Sequence, residues 1–320
     1  MLLRVIFLPL LATTLMTVSG ATFAQSFPGK PIRIITAASA GSNDIAARLI
    51  APALAEGLGQ PVTVDNRGGS VVIPAQLVAK SPPDGHTLLL YNNSLWTLPL
   101  MEKLPFDALT DFAPITLAVS MPSMLVVHPS LPVKSVKALI AFARARPGQL
   151  NYASGSLGGA THLSAELFNA MAGVRIVLIL YKGGGAALSD LMGGHVHVAF
   201  PTASSVVPHV KSGRLQALAV TSAQPSALYP GLPTVAASGL PGYEATSISG
   251  VFAPDKTPSA IINRLNQEIV RVLNRPDVKE RIHNTGTDIV GSSPEQFTAV
   301  IKSEVERMGT LIRKAGIHAE

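Results

Sequence analysis

The chain has 320 residues, 47% of them hydrophobic and 14% charged, with 25 basic against 19 acidic side chains and a net charge of +6. That length suits two domains of roughly 150 residues each, and a mildly basic surface with no dense basic run interleaved with aromatics excludes nucleic acid as a partner. With no cysteine at all there is no disulfide staple and no acylated-cysteine lipoprotein, so stability must come from the core.

The chain opens like an export signal. Arg4 supplies a short positive region, Val5 to Val18 an apolar run, and cleavage is expected between Ala24 and Gln25, with Thr22 at −3. The run falls short of the ~20 residues that span a bilayer. The expected mature chain therefore begins at Gln25 in the periplasm with charge +5 (+6 less Arg4).

Pro31 to Thr36 reads as a buried strand, followed by the loop Ala38-Ser39-Ala40-Gly41-Ser42. Asn43 or Asp44 then caps a helix carrying Ile45, Leu49 and Ile50, which Pro52 is expected to kink or end. Val62 to Asp65 reads as a strand parallel to the first, Ile73 to Ala79 as a helix and Thr87 to Tyr91 as a third strand. Met124 to His128 is a strand, and Ser135 caps a helix that buries Val136, Leu139, Ile140 and Ala143 before Pro147-Gly148 stops it.

Leu150 to Pro201 reads as strand, Gly-Ser loop, helix, strand, Gly loop, helix, strand. Its helices are expected to bury Leu163, Leu167, Phe168 and Met171, then Leu188, Leu191 and Met192. Its loops are Ser154-Gly155-Ser156-Leu157-Gly158-Gly159-Ala160-Thr161 and Lys182-Gly183-Gly184-Gly185-Ala186. Each follows a strand and opens a helix, as does the Ala38 loop, so bare N–H groups can converge on an anion. Leu215 to Thr221 and Ser249 to Pro254 read as strands. Helices fill Ile261 to Leu273, Val278 to Asn284 and Pro294 to Ala315, the last behind a capping box at Ser293-Pro294-Glu295-Gln296. The alternation makes this an α/β protein with mostly parallel sheets flanked by helices.

Several chemistries are open to test. Ser154, Ser156, His162 and Asp190 could suggest a serine hydrolase, but an elbow needs glycine two before the serine and Ser154 stands there. His162, in the first turn of its helix, reads as lining a loop, with a core histidine as the alternative. The Gly183 loop lacks the full dinucleotide fingerprint, and no Walker lysine pattern occurs. His195 and His197 fall on one face of an expected strand with no third metal ligand at a suitable spacing. Arg67 and Lys182 are candidates for a fixed positive charge. No catalytic residue, metal or cofactor is expected.

Many segments resemble one family in one order. They include Lys30-Pro31-Ile32-Arg33, Gly59-Gln60-Pro61-Val62, Asn66-Arg67, Pro83-Asp84-Gly85-His86-Thr87-Leu88 and Asp111-Phe112-Ala113-Pro114. Further on come Leu150-Asn151-Tyr152-Ala153-Ser154, His162 to Phe168, Tyr181-Lys182-Gly183, Asp190 to Gly194, Leu218 to Ser222, Leu232 to Val235, Gly239 to Tyr243 and Gly291 to Glu295. The chain resembles the Bordetella uptake gene (Bug) family, the TctC-type periplasmic solute receptors of tripartite tricarboxylate transporters.

The resemblance implies a two-lobed, type II periplasmic-binding-protein fold, a hinge of two crossing segments and no enzymatic activity. Lobe one would comprise 27–128 and 251–320 and lobe two 129–250, with crossings near His128 and Gly250. A carboxylate would be held by Ala38, Ser39, Gly41, Ser42 and Asp44 of lobe one and by Ser154, Gly158, Gly159, His162, Lys182 and Gly183 of lobe two. Departures from the family pattern are Ala38-Ser39-Ala40 in place of a proline-glycine-glycine stretch, His197 and Pro201 where acidic residues are usual, and Met308 for tryptophan, read as packing. Loss of an acidic residue at Pro201 disfavours amino-acid ligands. The implied function is capture of a small carboxylate, a dicarboxylate without an amino group, by a monomer that delivers it to membrane permease subunits. The alternatives are docking on a sensor kinase ectodomain, or a hydrolase using His162.

Overall fold

The computed structural model describes residues 27–37, 42–68, 71–155, 159–181, 183–226 and 228–315. The expected signal peptide lies outside the described residues, and so do Ala38, Ser39, Gly41, Gly158 and Lys182. Among the described residues no helix is long and apolar enough to cross a membrane.

The chain begins with β1 (Ile32–Thr36), α1 (Ser42–Leu58), β2 (Val62–Asn66), α2 (Val72–Ala79) and β3 (Thr87–Asn92). Ile32, Ile34 and Ile35 are each at most 1% exposed, which marks β1 as a strand covered on both faces. A short helix α3 (Ser94–Thr97) and the 3-10 turn Leu98–Leu100 lead to β4 (Phe112–Pro122), an 11-residue strand that prolines at 114 and 122 hide in the sequence. After β5 (Met124–Val127) come α4 (Val136–Ala145), β6 (Asn151–Ser154), α5 (Ala160–Ala172), β7 (Val177–Leu180) and α6 (Gly184–Met192). Then follow β8 (Val198–Ala199), α7 (Ala203–Lys211), β9 (Gln216–Val220), β10 (Thr246–Pro254), α8 (Ser259–Leu273), α9 (Pro276–Asn284), β11 (Asp288–Ile289) and α10 (Pro294–Ala315).

Two sheets result, one in the order β11-β4-β10-β3-β1-β2 and the other β7-β6-β8-β5-β9. The β-α-β units give the parallel pairs, β1 with β2 and β3, and β6 with β7 and β8. The strands that cross between sheets bring antiparallel pairing, β10 with β3 and β4, β11 with β4, and β5 with β8 and β9. Parallel pairs thus make the middle of each β-α-β run, and each sheet as a whole is mixed. Helices flank both.

The first crossing comes earlier than His128. Strand β5 pairs in the second sheet, so the chain changes sheets at Ser123, between β4 and β5. Ser123 N donates to Thr221 Oγ1 (3.0 Å) and that hydroxyl donates back to Ser123 O (3.0 Å), both residues being buried. Thr221 also receives Ala245 N on its carbonyl at 3.0 Å, so the outgoing and returning strands are tied at one place. The return itself begins with β10 at Thr246, not at Gly250.

Helix α1 does not end at Pro52; it runs on to Leu58. Pro52 is exposed, so the carbonyl it leaves without a helical partner can face water. Met171, expected inside, is 37% exposed, while Leu163, Leu167 and Phe168 are buried. Helix α1 starts at Ser42, so Asn43 and Asp44, expected as its cap, lie inside its first turn, whereas two other caps form as the sequence predicts. Ser135 accepts from Ala138 N, and Ser293 and Gln296 exchange the two bonds of a capping box at 3.0 and 3.2 Å. Helix α10 lies across both cores: Phe297 and Ile301 pack with Trp96, Phe112 and Phe252 against the first sheet. Met308, Leu311 and Ile312 pack with Leu139, Tyr152 and Phe168 against the second.

Candidate functional site

A cavity of about 370 Å³ lies where the two sheets meet. The first half lines it with Ile45, Ala46 and Leu49 of α1, Asn92 at the end of β3, and Val119, Met121 and Ser247 on the crossing strands. Ile282, Thr285 and Thr287 around the end of α9 complete that side. The second half contributes Ala160 at the start of α5 and Thr202 and Ser204 at the start of α7. None of these residues is charged. Three helix beginnings therefore face one space. Neither Gly159, which caps α5, nor Thr202, which caps α7, gives its helix a side-chain cap, and helix beginnings of this kind suit an anion.

The loops around this space are fixed by their own polar contacts. Asp44, 3% exposed, accepts from Arg48 Nε at 2.9 Å and from Asn66 Nδ2 at 2.8 Å, while Asn66 also donates to Ala37 O at 3.0 Å. The carboxylate thus fastens the start of α1 to the end of β2, and it favours the positive end of its own helix. Asn43 is held the same way, its Oδ1 accepting from Ser249 Oγ of β10 at 2.8 Å. Ser42 opens α1, although its side chain lies outside the described residues.

Across the cavity, Ser154 is 1% exposed and its hydroxyl lies 2.8 Å from Thr161 Oγ1 in the first turn of α5. The two glycine loops of this half pack backbone on backbone. Gly183 N donates to Gly155 O at 3.0 Å, and a Cβ on Gly155 would come within 2.5 Å of Gly184 N. Gly183 caps α6 with φ +106°, a conformation that a side chain resists.

His162 is buried from solvent, only 3% exposed, and stacks on Tyr152 at 6.4 Å with the rings 20° apart. Burial holds its imidazole below the ordinary range, opposed by the nearby Glu166 carboxylate, which accepts from Tyr152 Oη at 2.6 Å. His195 and His197 do not share a strand face, since β8 covers only Val198–Ala199. The His197 ring is taken up by Asn151, 2.8 Å from its Oδ1, and among the described residues no group of three side chains could hold a metal ion. Of the residues predicted for the site, Ser42, Asp44, Gly159 and His162 stand on or at the start of α1 and α5, which border the cavity, whereas Ser154 on β6 and Gly183 before α6 stand on elements that do not, and none of the six is among its described lining residues. Asn92, Met121, Thr202, Ser204, Ser247, Thr285 and Thr287 line it without having been foreseen. Thr202 left a trace, a hydroxyl residue before a helical pattern; Met121 and Ser247 did not, because their place depends on strand pairing.

Comparison with known proteins decides the family. Residues 46–317 match the family described as Tripartite tricarboxylate transporter family receptor (TctC). The chain belongs to this family. Among its relatives, Protein BugT of Bordetella pertussis is 38% identical over 298 residues, covering 92% of this chain and 91% of BugT. Among solved structures, R. palustris Rpa4515 with adipate is 36% identical with a TM-score of 0.76, covering 91% of this chain and 99% of that one. MatC (Rpa3494) from Rhodopseudomonas palustris with bound malate is 27% identical with a TM-score of 0.72, covering 89% and 100%. This TctC-family chain is a solute-binding receptor of the periplasmic type and not an enzyme, which removes the hydrolase reading of His162.

Proposed function

We propose that this TctC-family receptor is exported to the periplasm by its first 24 residues and captures a small carboxylate without an amino group. The lobes are the two sheets with their helices, close to 27–128 plus 251–320 and 129–250, with the chain passing between them at Ser123 and again at Thr246. Membrane permease subunits of a tripartite tricarboxylate-type transporter receive the ligand. Ala38, Ser39, Gly41, Ser42 and Asp44 on one side, and Ser154, Gly158, Gly159, His162, Lys182 and Gly183 on the other, border the bound carboxylate or set the loops that do. Asp44 and His162 act in the second way, through the contacts that fix α1 and α5.

The observation that carries this reading is the uncharged cavity faced by the beginnings of α1, α5 and α7. Neutral N–H dipoles hold an anion without a buried protein cation, whose desolvation would cost several kcal/mol. An amino group would need an acidic partner, and none of the described lining residues supplies one. The adipate and malate bound by the two R. palustris relatives belong to the same ligand class.

A thermal-shift screen of residues 25–320 tests the reading. A plain dicarboxylate at ~100 times its Kd should add about 2.7 kcal/mol, a rise of roughly 5 °C for a chain of this size. Response to amino acids alone would remove the argument from the uncharged lining, and response to no carboxylate would remove the receptor's proposed ligand class.

A further inference from the structure

The cavity has a second character besides its helix beginnings. Ile45 and Leu49, four residues apart on α1, share a helix face, and Val119 and Met121, two apart on β4, share a strand face. With Ile282 of α9 they make an apolar wall on the side of the first sheet. Ile45 keeps 38% of its surface exposed, and a large apolar side chain bordering a cavity gains when an apolar group covers it. Of the five hydroxyls among the described lining residues, three are engaged. Thr285 donates to Ile282 O at 2.7 Å and lies 2.9 Å from Thr287 Oγ1, and Thr202 donates to Ser205 Oγ at 3.2 Å. Hydroxyl groups on a ligand's skeleton would meet carbon along this wall and lose their water without replacement.

Resting on the reading of this cavity as the receptor's ligand site, we infer that the wall selects the body of the ligand. The preferred solute is a carboxylate with an unsubstituted apolar skeleton, an aliphatic chain or an aromatic ring, over hydroxylated acids and amino acids.

Isothermal titration of residues 25–320 with succinate, glutarate, adipate, malate and aspartate is the test. Each added methylene from succinate to adipate should lower Kd by about fourfold, and malate should bind no tighter than succinate. Ile45→Ser, at an exposed position, should reduce the gain per methylene, and Leu49→Ser should do the same; circular dichroism of each variant separates a lost wall from a lost fold. Malate or aspartate ahead of adipate overturns the inference and leaves a carboxylate receptor standing. An undiminished gain per methylene in both variants overturns the assignment of the wall. Binding of no acid in the series overturns the site reading together with the inference.

Discussion

Gly155 shows how a single hydrogen in place of a methyl group sets the second half of the site. Its ideal Cβ would stand 2.5 Å from Gly184 N and 2.6 Å from Gly183 C, both backbone atoms that cannot swing away. Gly155→Ala should therefore force the two loops apart at a cost of about 1–3 kcal/mol, read as a lower midpoint in urea denaturation. Gly185→Ala is the matched control. It lies inside α6 with nothing within 4 Å of its ideal Cβ, and should raise stability by about 0.5–1 kcal/mol through helix propensity. A sequence shows both glycines as equal members of loops, and only the packing of one loop on the other tells them apart. The same limit applies to Asp44 and His162. Their position at helix starts is legible, and so is the i,i+4 pairing of Asp44 with Arg48, whereas the contacts with Asn66 and with Tyr152 come from neighbouring strands.

The elements themselves were largely legible where local chemistry sets their ends. Ser135 and Ser293 announce their helices because a cap is made within three residues. Strand β4 was not legible. Its prolines argue against a strand, and what overrides them is the long antiparallel pairing with β10, more than a hundred residues away. Helix α10 carries a similar hidden link. Its Glu304, 8% exposed, accepts from Asn93 Nδ2 at 2.8 Å and from Trp96 Nε1 at 2.8 Å. Burial raises its carboxyl above the ordinary range, against the pull of those donors and of Arg307 and with the push of Glu244. A raised folded-state value means the folded protein holds the proton more firmly than the unfolded chain. Its stabilising share is thus complete below about pH 4.3, the unfolded value, and is lost as pH climbs through the folded one. Glu304→Gln has no such proton, so the variant's Tm minus that of the wild type should increase from pH 4 to pH 7. A difference that stays flat across that range would mean the buried charge carries no cost.

At the scale of the whole molecule, the α/β alternation follows from the order of strands and helices, and the family resemblance adds the two lobes. The meeting of the halves depends on distant pairs that leave no local mark. Thr221 is bound to Ser123 across the crossing, and Ser226 Oγ donates to Asp288 Oδ2 at 3.1 Å. Gly286 comes so close to Ser204 that a Cβ would lie 2.8 Å from it. The placement of α10 across both cores bears on how the protein melts. Losing the packing of either half strips Phe297 and Ile301, or Met308, Leu311 and Ile312, from the same 22-residue helix, so neither half can come apart and leave the other whole. Scanning calorimetry of residues 25–320 should accordingly record one heat-absorption peak of roughly 200 kcal/mol, at about 0.7 kcal/mol per residue, with calorimetric and van't Hoff enthalpies equal. Two resolved peaks, or a van't Hoff value near half the calorimetric one, would show that the halves melt as separate cooperative units in spite of the helix they share.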